Sequence, residues 1–178
     1  MHECIKSTRT MNETENTLTP NELAFIALTN EYCQAVETAD QSDRKQFVDT
    51  MTKLLPRIYI SASDLDMNVM TDTYIAPSLD EETYNHVRQA IARLMADEDV
   101  YLEVFLDDMK YSDTPISATV SENLADLYQE FYNLVQAVQY ATSDDQSDLL
   151  GLCYENFTDY WGQTLCNVMR ALHGMRFI

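Results

Sequence analysis

The residues best suited to chemistry lie in one acidic stretch, "ADEDVYLEVFLDD", which spans residues 96–108. Carboxylates of this kind are the ligands that Ca²⁺ and Mg²⁺ prefer. An EF-hand calcium loop, however, requires a glycine at its sharp turn, and the first glycine of this chain is Gly151. The apolar alternation from Val100 to Leu106 instead predicts an edge that packs against helices, with the acids left in solvent.

Histidine and cysteine spacing supports neither a metal site nor a catalytic pair. Glu82 and His86 are four residues apart on a predicted helix, but a diiron bundle needs such pairs from two helices. Cys166 and His173 lie about 10 Å apart along one predicted helix, which is too far for direct proton transfer. The four cysteines form no CxxC motif. We therefore expect no cofactor, no metal and no disulfide.

The charge of the chain restricts its partners. Thirty acids against eleven Lys and Arg residues give a net charge of −19, which repels nucleic acids and anionic membranes. Such a surface serves solubility, and it also suits a basic protein partner. The sequence has neither a secretory signal nor a span of membrane length, so we expect a cytoplasmic protein. The predicted acidic face consists of Asp97, Glu98, Asp99, Asp107 and Asp108.

Composition and helix-start signals predict an all-α fold. Three glycines and four prolines provide few of the turns that a β protein needs. At 178 residues we expect a mobile tail over residues 1–18 and a single helical domain over residues 19–178. Five helices are predicted, with the fourth and fifth forming an antiparallel pair. Their N-caps are predicted at Thr19, Ser42, Ser78, Ser121 or Thr119, and Ser143.

Several expectations concern single elements. The first helix should bury one face, Pro56 should kink or break the second helix, and Gly174 should end the fifth. Residues 97–119 are predicted to be mostly irregular. The inward face of the first helix is predicted to comprise Leu23, Ile26, Ala27, Asn30, Cys33 and Val36.

The antiparallel pair has a predicted register. If the turn lies near residues 143 and 144, residues whose numbers sum to about 287 lie at one level. This register places Trp161 opposite Asp126, so Asp126 or the hydroxyl of Tyr128 is expected to accept the indole N–H. Arg170 is expected to form an ion pair with Asp113 or Glu122.

Four segments resemble a known family. The motifs "DVYLEVFLDD", "SENLADLYQEF" and "YWGQTLCNVMRALH" resemble, in this order, those of a bacterial helical family called domain of unknown function 5063, and "FVDTMTKLLPRIYISASDL" is similar to its early helix. The resemblance implies a single all-helical domain with no activity attached. Histidines commonly flank the Trp-Gly step of that family, where this chain has Tyr160 and Thr164. Without these histidines, an enzymatic function of this chain is less expected.

Two functions are compatible with these observations. The preferred interpretation is a non-enzymatic protein-interaction module whose acidic segment, residues 97–113, meets a basic partner. The alternative is a small-molecule-binding or hydrolytic pocket built from residues that match the family and are not plainly apolar. These candidates are Glu103, Asp126, Tyr128, Trp161, Arg170 and His173.

Overall fold

The computed structural model describes residues 18–65, 72–103 and 115–177. The predicted tail, apart from Leu18, lies outside the described residues. The described chain forms a bundle of five helices, the last of which is divided by a π turn, and a small hairpin. The helices are α1 (Pro20–Glu37), α2 (Arg44–Ser63), α3 (Glu81–Met95), α4 (Val120–Tyr140), α5 (Ser143–Asn156), the π turn (Phe157–Trp161) and α6 (Gly162–Phe177), and the strands are β1 (Val100–Glu103) and β2 (Ile116–Thr119).

Capping side chains explain where the helices begin. Thr19 and Glu22 form a capping box at α1, as predicted, and Thr119 caps α4. The caps of the other helices are shifted by one or two residues from the predicted serines, because neighbouring side chains with the same acceptor chemistry occupy the position. These caps are Asp43, Asp80 and Thr142.

Helix α4 is central to the bundle. It packs against α1, α3, α5 and α6, while α2 packs against α1 and α6. Phe25 of α1 and Phe131 of α4 are fully buried and contact the ring of Trp161 in the π turn, which is also fully buried. The all-α class and the five-helix bundle are therefore confirmed.

The buried face of α1 differs from the prediction. Phe25, Thr29 and Tyr32 are fully buried, whereas Leu23 is 55% exposed. The predicted face included none of these three buried residues, and the hydroxyls of Thr29 and Tyr32 are both satisfied inside the protein. Thr29 donates to the carbonyl of Phe25 at 3.1 Å, and Tyr32 donates to the carbonyl of Leu124 at 2.7 Å.

Other element predictions need correction in whole or in part. Of the kink or break predicted at Pro56, the break is absent, because α2 is continuous through this residue. α6 continues past Gly174 to Phe177. The region predicted to be irregular contains the antiparallel pair β1 and β2. Val100 and Leu102, predicted to be tucked against helices, are 60% and 55% exposed, because the other face of β1 packs inward. Val104 and Leu106 lie outside the described residues.

The predicted register of the last helix pair holds within one residue at its middle, whereas near the turn Gln146 donates to the carbonyl of Val138, which is three residues from that register. Asn156 donates to Glu130 at 3.3 Å, and their numbers sum to 286. Trp161 nevertheless contacts Phe131, with ring centroids 5.0 Å apart, rather than Asp126. Helical side chains lean toward the preceding turn, so the indole reaches the level of residue 157 rather than its own.

Candidate functional site

A cavity of about 180 Å³ opens between the hairpin and the start of α6. We call it the polar cleft. Its lining contains two carboxylates, a phenol, a hydroxyl and two amides, which together favour ligands that donate hydrogen bonds. The lining residues are Glu103, Asp159, Tyr160, Gln163, Thr164 and Asn167.

Glu103 is positioned by the hairpin and by α4. It lies at the end of β1, opposite Ile116 of β2. The hydroxyl of Tyr101 donates to Glu103 Oε1 at 3.0 Å, and the amide of Asn123 donates to the Tyr101 hydroxyl at 2.6 Å. Burial, together with the Glu103 charge, raises the pKa of Tyr101, so the phenol remains a hydrogen-bond donor. This chain of hydrogen bonds fixes the carboxylate at the cleft.

Asp126 supports the cleft from behind Tyr160. Its carboxylate accepts from the Tyr84 hydroxyl of α3 at 2.7 Å. Burial is the largest cause that raises the pKa of Tyr160, followed by the charges of Asp126 and Glu130. Both phenols therefore stay protonated near Asp126. The structure thus brings the predicted candidates Glu103 and Asp126 to two sides of Tyr160.

Glu130 extends the acidic face of α4 by one turn beyond Asp126. Burial, reinforced by the Asp126 charge, raises the pKa of Glu130, whereas the hydrogen bond from Asn156 lowers it. A carboxyl whose pKa is raised on folding stabilises the fold when protonated. That contribution is present below the unfolded-state pKa of about 4.3 and is lost as the pH rises through the raised folded-state value.

Replacing Glu130 by glutamine is therefore expected to stabilise the protein at pH 7. Removal of the repulsion with Asp126, four residues away on one helix, contributes about 0.2–0.5 kcal/mol. The gain should shrink near pH 4, where Glu130 itself becomes protonated. Thermal unfolding of both proteins at the two pH values tests this expectation, with the exposed Glu155→Gln as the control that removes an acid from α5. A gain that is the same at both pH values would contradict it.

The other four candidates do not line the cleft. Tyr128 donates to Glu37 of α1 at 2.9 Å, and Trp161 donates to the carbonyl of Cys153 at 3.2 Å. The expected acceptors of the indole, Asp126 and Tyr128, are thus both engaged elsewhere.

Arg170 and His173 are exposed on α6. The His173 ring lies 4.8 Å from that of Phe177. Among the described residues Arg170 forms no ion pair, so the expected pair with Glu122 is absent, and Asp113 lies outside those residues.

The predicted acidic face is only partly on the surface. Asp97 is exposed, whereas Glu98 pairs with Arg44 at 2.9 Å. Asp99 is buried and accepts from both the backbone N–H and the hydroxyl of Ser121, at 2.8 and 2.7 Å. It therefore secures the start of α4 and cannot meet a partner. Asp107 and Asp108 lie outside the described residues.

Metal-ligating side chains do not cluster in the described part of the chain, where no group of three His, Cys, Asp or Glu residues is placed to hold an ion. Cys33, Cys153 and Cys166 are free thiols there. Burial, followed by the charge of Glu37, raises the pKa of Cys33 to about 12, so this thiol is not a nucleophile at neutral pH.

The chain matches the profile of a family described as a domain of unknown function, DUF5063, over residues 16–177. The chain belongs to this family. A solved structure shares the fold of this chain. The crystal structure of protein BF1032 from Bacteroides fragilis is 33% identical, with a TM-score of 0.77 over 89% of this chain and 93% of that chain. No curated protein matches the chain.

The sequence pattern of this DUF5063 protein did not indicate most of the tyrosines around the polar cleft. Tyr84 orients Asp126, Tyr101 orients Glu103 and Tyr160 lines the cleft. Of these three, only Tyr160 was singled out, as a position where histidine is common in the family. Tyr160 and Thr164 both line the cleft, one turn apart on the fifth helix. The departure at these two positions therefore falls at the cleft itself.

None of the described helices combines the length and apolar character needed to cross a membrane.

Proposed function

We propose that this protein is a cytoplasmic, non-enzymatic interaction module whose polar cleft receives an arginine or lysine side chain from a basic partner protein. The observation that carries the proposal is the convergence of Glu103, Asp159 and Tyr160 on one cavity, whose lining among the described residues contains no Lys or Arg. A guanidinium or ammonium group supplies the positive charge and the N–H donors that such a lining can accept.

The size of the cleft favours one side chain over a whole small molecule. Pockets for drug-sized ligands have volumes of about 300–1,000 Å³. The polar cleft, at about 180 Å³, is smaller than this range. The alternative, a small-molecule or hydrolytic pocket, was expected to contain several of the six candidate residues, and of these only Glu103 lines the cleft.

Charges behind the cleft add to its selectivity for cations. Asp126, Glu130 and Glu122 all act electrostatically on Tyr160, which is itself 50% exposed. These three acids recur every fourth residue along α4, so they form a stripe beside the cleft. An incoming cation would relieve their mutual repulsion, and this relief supports binding.

The first test uses one charged side chain in isolation. N-acetylarginine amide, titrated into the ¹⁵N-labelled protein, is expected to shift the amide signals of residues 103 and 159–164 in a saturable manner. N-acetylcitrulline amide, which has nearly the same shape without the charge, should not. Binding should weaken with added salt, because charges are screened over about 8 Å at physiological ionic strength. Equal responses to the two compounds, or none, would overturn the proposal.

A matched pair of variants tests the position of the site. Glu103→Gln preserves the size of the side chain and is expected to weaken arginine binding about tenfold, which corresponds to about 1.4 kcal/mol. Glu31→Gln removes the same charge from an exposed position of α1 and should leave binding unchanged. If both variants weaken binding equally, the attraction comes from the net charge and not from the cleft.

A further inference from the structure

A second cavity, of about 390 Å³, lies between the start of α2 and the end of α6. We call it the basic cavity, because three of the eleven Lys and Arg residues in a chain of net charge −19 converge on it. Two acids reduce the local charge to +1. The lining residues are Arg44, Lys45, Val48, Asp49, Glu98, Met175 and Arg176.

Both arginines are held in place by protein hydrogen bonds. Arg44 donates from Nε to the carbonyl of Leu94 at 3.0 Å and from Nη1 to Glu98 at 2.9 Å. Arg176 donates from Nε to Asp49 at 2.8 Å and from Nη1 to the hydroxyl of Thr52 at 2.7 Å. Within the described residues these bonds leave Nη2 of each guanidinium as a donor for a ligand. Preorganised donors of this kind lower the entropic cost of binding.

Helix stability does not explain the position of two of these bases. Arg44 and Lys45 occupy the first turn of α2, where the helix dipole is positive and where acidic side chains are the stabilising choice. Basic residues there raise the local positive potential further. Arg176, in the last turn of α6, offsets the negative end of that helix. The three cations therefore create a positive site within an acidic protein.

The geometry points to a ligand class: we propose that the basic cavity binds a small phosphate monoester. Three cations suit a phosphate dianion better than a carboxylate, and Nη2 of each arginine can donate to a phosphate oxygen. Val48 and Met175 provide an apolar wall for the body of the ligand. The volume lies at the small end of the range for small-molecule pockets, about 300–1,000 Å³. This inference does not depend on the polar cleft.

Glu98 competes with such a ligand for the guanidinium of Arg44. Its carboxylate holds Nη1 of Arg44, and both side chains are substantially exposed, at 41% for Arg44 and 49% for Glu98. Because an exposed pair of this kind is weak, a phosphate can displace it. Removal of the Glu98 charge should therefore strengthen binding, which is an effect that misfolding cannot imitate.

Titration calorimetry measures the binding of three probes, which are phenyl phosphate, inorganic phosphate and benzoate. Wild-type protein should bind one phenyl phosphate, more tightly than inorganic phosphate because of the apolar wall and more tightly than benzoate because of charge. Lys45→Gln should weaken phenyl phosphate binding about tenfold, and Glu98→Gln should tighten it several-fold. Lys45 forms none of the hydrogen bonds or ion pairs described above, so its replacement should not unfold the protein.

Two variants on the same elements serve as controls. Lys53→Gln removes a positive charge from an exposed position of α2, and Asp97→Asn removes a negative charge beside Glu98. Neither residue lines the basic cavity. Binding in both controls should match wild type. Absence of saturable phenyl phosphate binding would overturn the proposal. So would a control that changes the affinity for phenyl phosphate as much as its partner does, where Lys53→Gln is paired with Lys45→Gln and Asp97→Asn with Glu98→Gln.

Discussion

Replacing Trp161 by alanine is expected to lower the free energy of unfolding by about 3–5 kcal/mol. The ring is fully buried. Its centroid lies 6.4 Å from the ring centroid of Phe25, 5.0 Å from that of Phe131 and 4.7 Å from that of Phe157. These neighbours come from α1, α4 and the π turn, so truncation opens a cavity where three elements meet. The carbonyl of Cys153 still accepts from the backbone N–H of Phe157, so most of the loss comes from packing.

Urea denaturation followed by far-UV circular dichroism measures this loss, because Trp161 is the only tryptophan and its fluorescence disappears with it. Trp161→Phe should retain much of the ring packing and cost less. Tyr140→Ala removes an aromatic side chain that is 81% exposed and should change stability by no more than about 0.5 kcal/mol. A Trp161→Ala protein as stable as Tyr140→Ala, with altered ligand binding, would make Trp161 a functional residue instead.

Helix starts could be predicted from the sequence because capping is local. Thr19 and Glu22 are three residues apart, and their side chains satisfy each other's backbone N–H groups without help from the rest of the fold. The same logic located α4, whose cap Thr119 binds the N–H of Glu122. Even the shifted starts differ by only one or two residues, since Ser, Thr and Asp compete for one role.

The buried face of α1 could not be predicted in this way. Tyr32 is fully buried because its hydroxyl reaches the carbonyl of Leu124, which is 92 residues away. Only the tertiary fold supplies that acceptor. The tertiary contact therefore sets which face of α1 is buried, and the hydrophobic pattern of α1 alone does not contain that information.

The candidate site was predicted in part, for a similar reason. Glu103 and Asp126 were singled out by resemblance to the family, and both lie at or beside the polar cleft. Tyr84, which donates to Asp126, and Tyr160, whose pKa is raised by burial and then by the charge of Asp126, come from α3 and the π turn, and no local pattern links them to Asp126. Asp99 was assigned to the surface because it lies among acids, yet its partner Ser121 is 22 residues away.

The π turn did leave a signal in the sequence. Buried positions of the fifth helix recur at intervals of four from residue 149 to residue 165. In an α-helix each such step moves the buried stripe by about 40° around the axis, so four steps would turn it away from α4. A π turn is wider and absorbs this drift, which keeps Leu149 and Leu165 in the same core.

Gly162→Ala should therefore be strongly destabilising, by about 1–3 kcal/mol. A Cβ at this position would lie 2.5 Å from the carbonyl oxygen of Phe157 and 2.8 Å from its ring. The ring could move, but the carbonyl belongs to the backbone of the π turn and accepts the N–H of Gly162. Relief of the clash requires the turn itself to open.

Gly174→Ala provides the matched control within α6. No glycine in the described residues has a positive φ, so alanine is compatible with the backbone at Gly174, and it should stabilise the helix by up to about 1 kcal/mol. Two identical substitutions in one helix are thus expected to have opposite signs, and urea denaturation compares them directly. The π turn also places Trp161 in the core while Tyr160, its neighbour, faces the polar cleft. Gly162→Ala should consequently weaken binding of N-acetylarginine amide as well as the fold, whereas a stable variant with wild-type binding would show that the turn is not required for either.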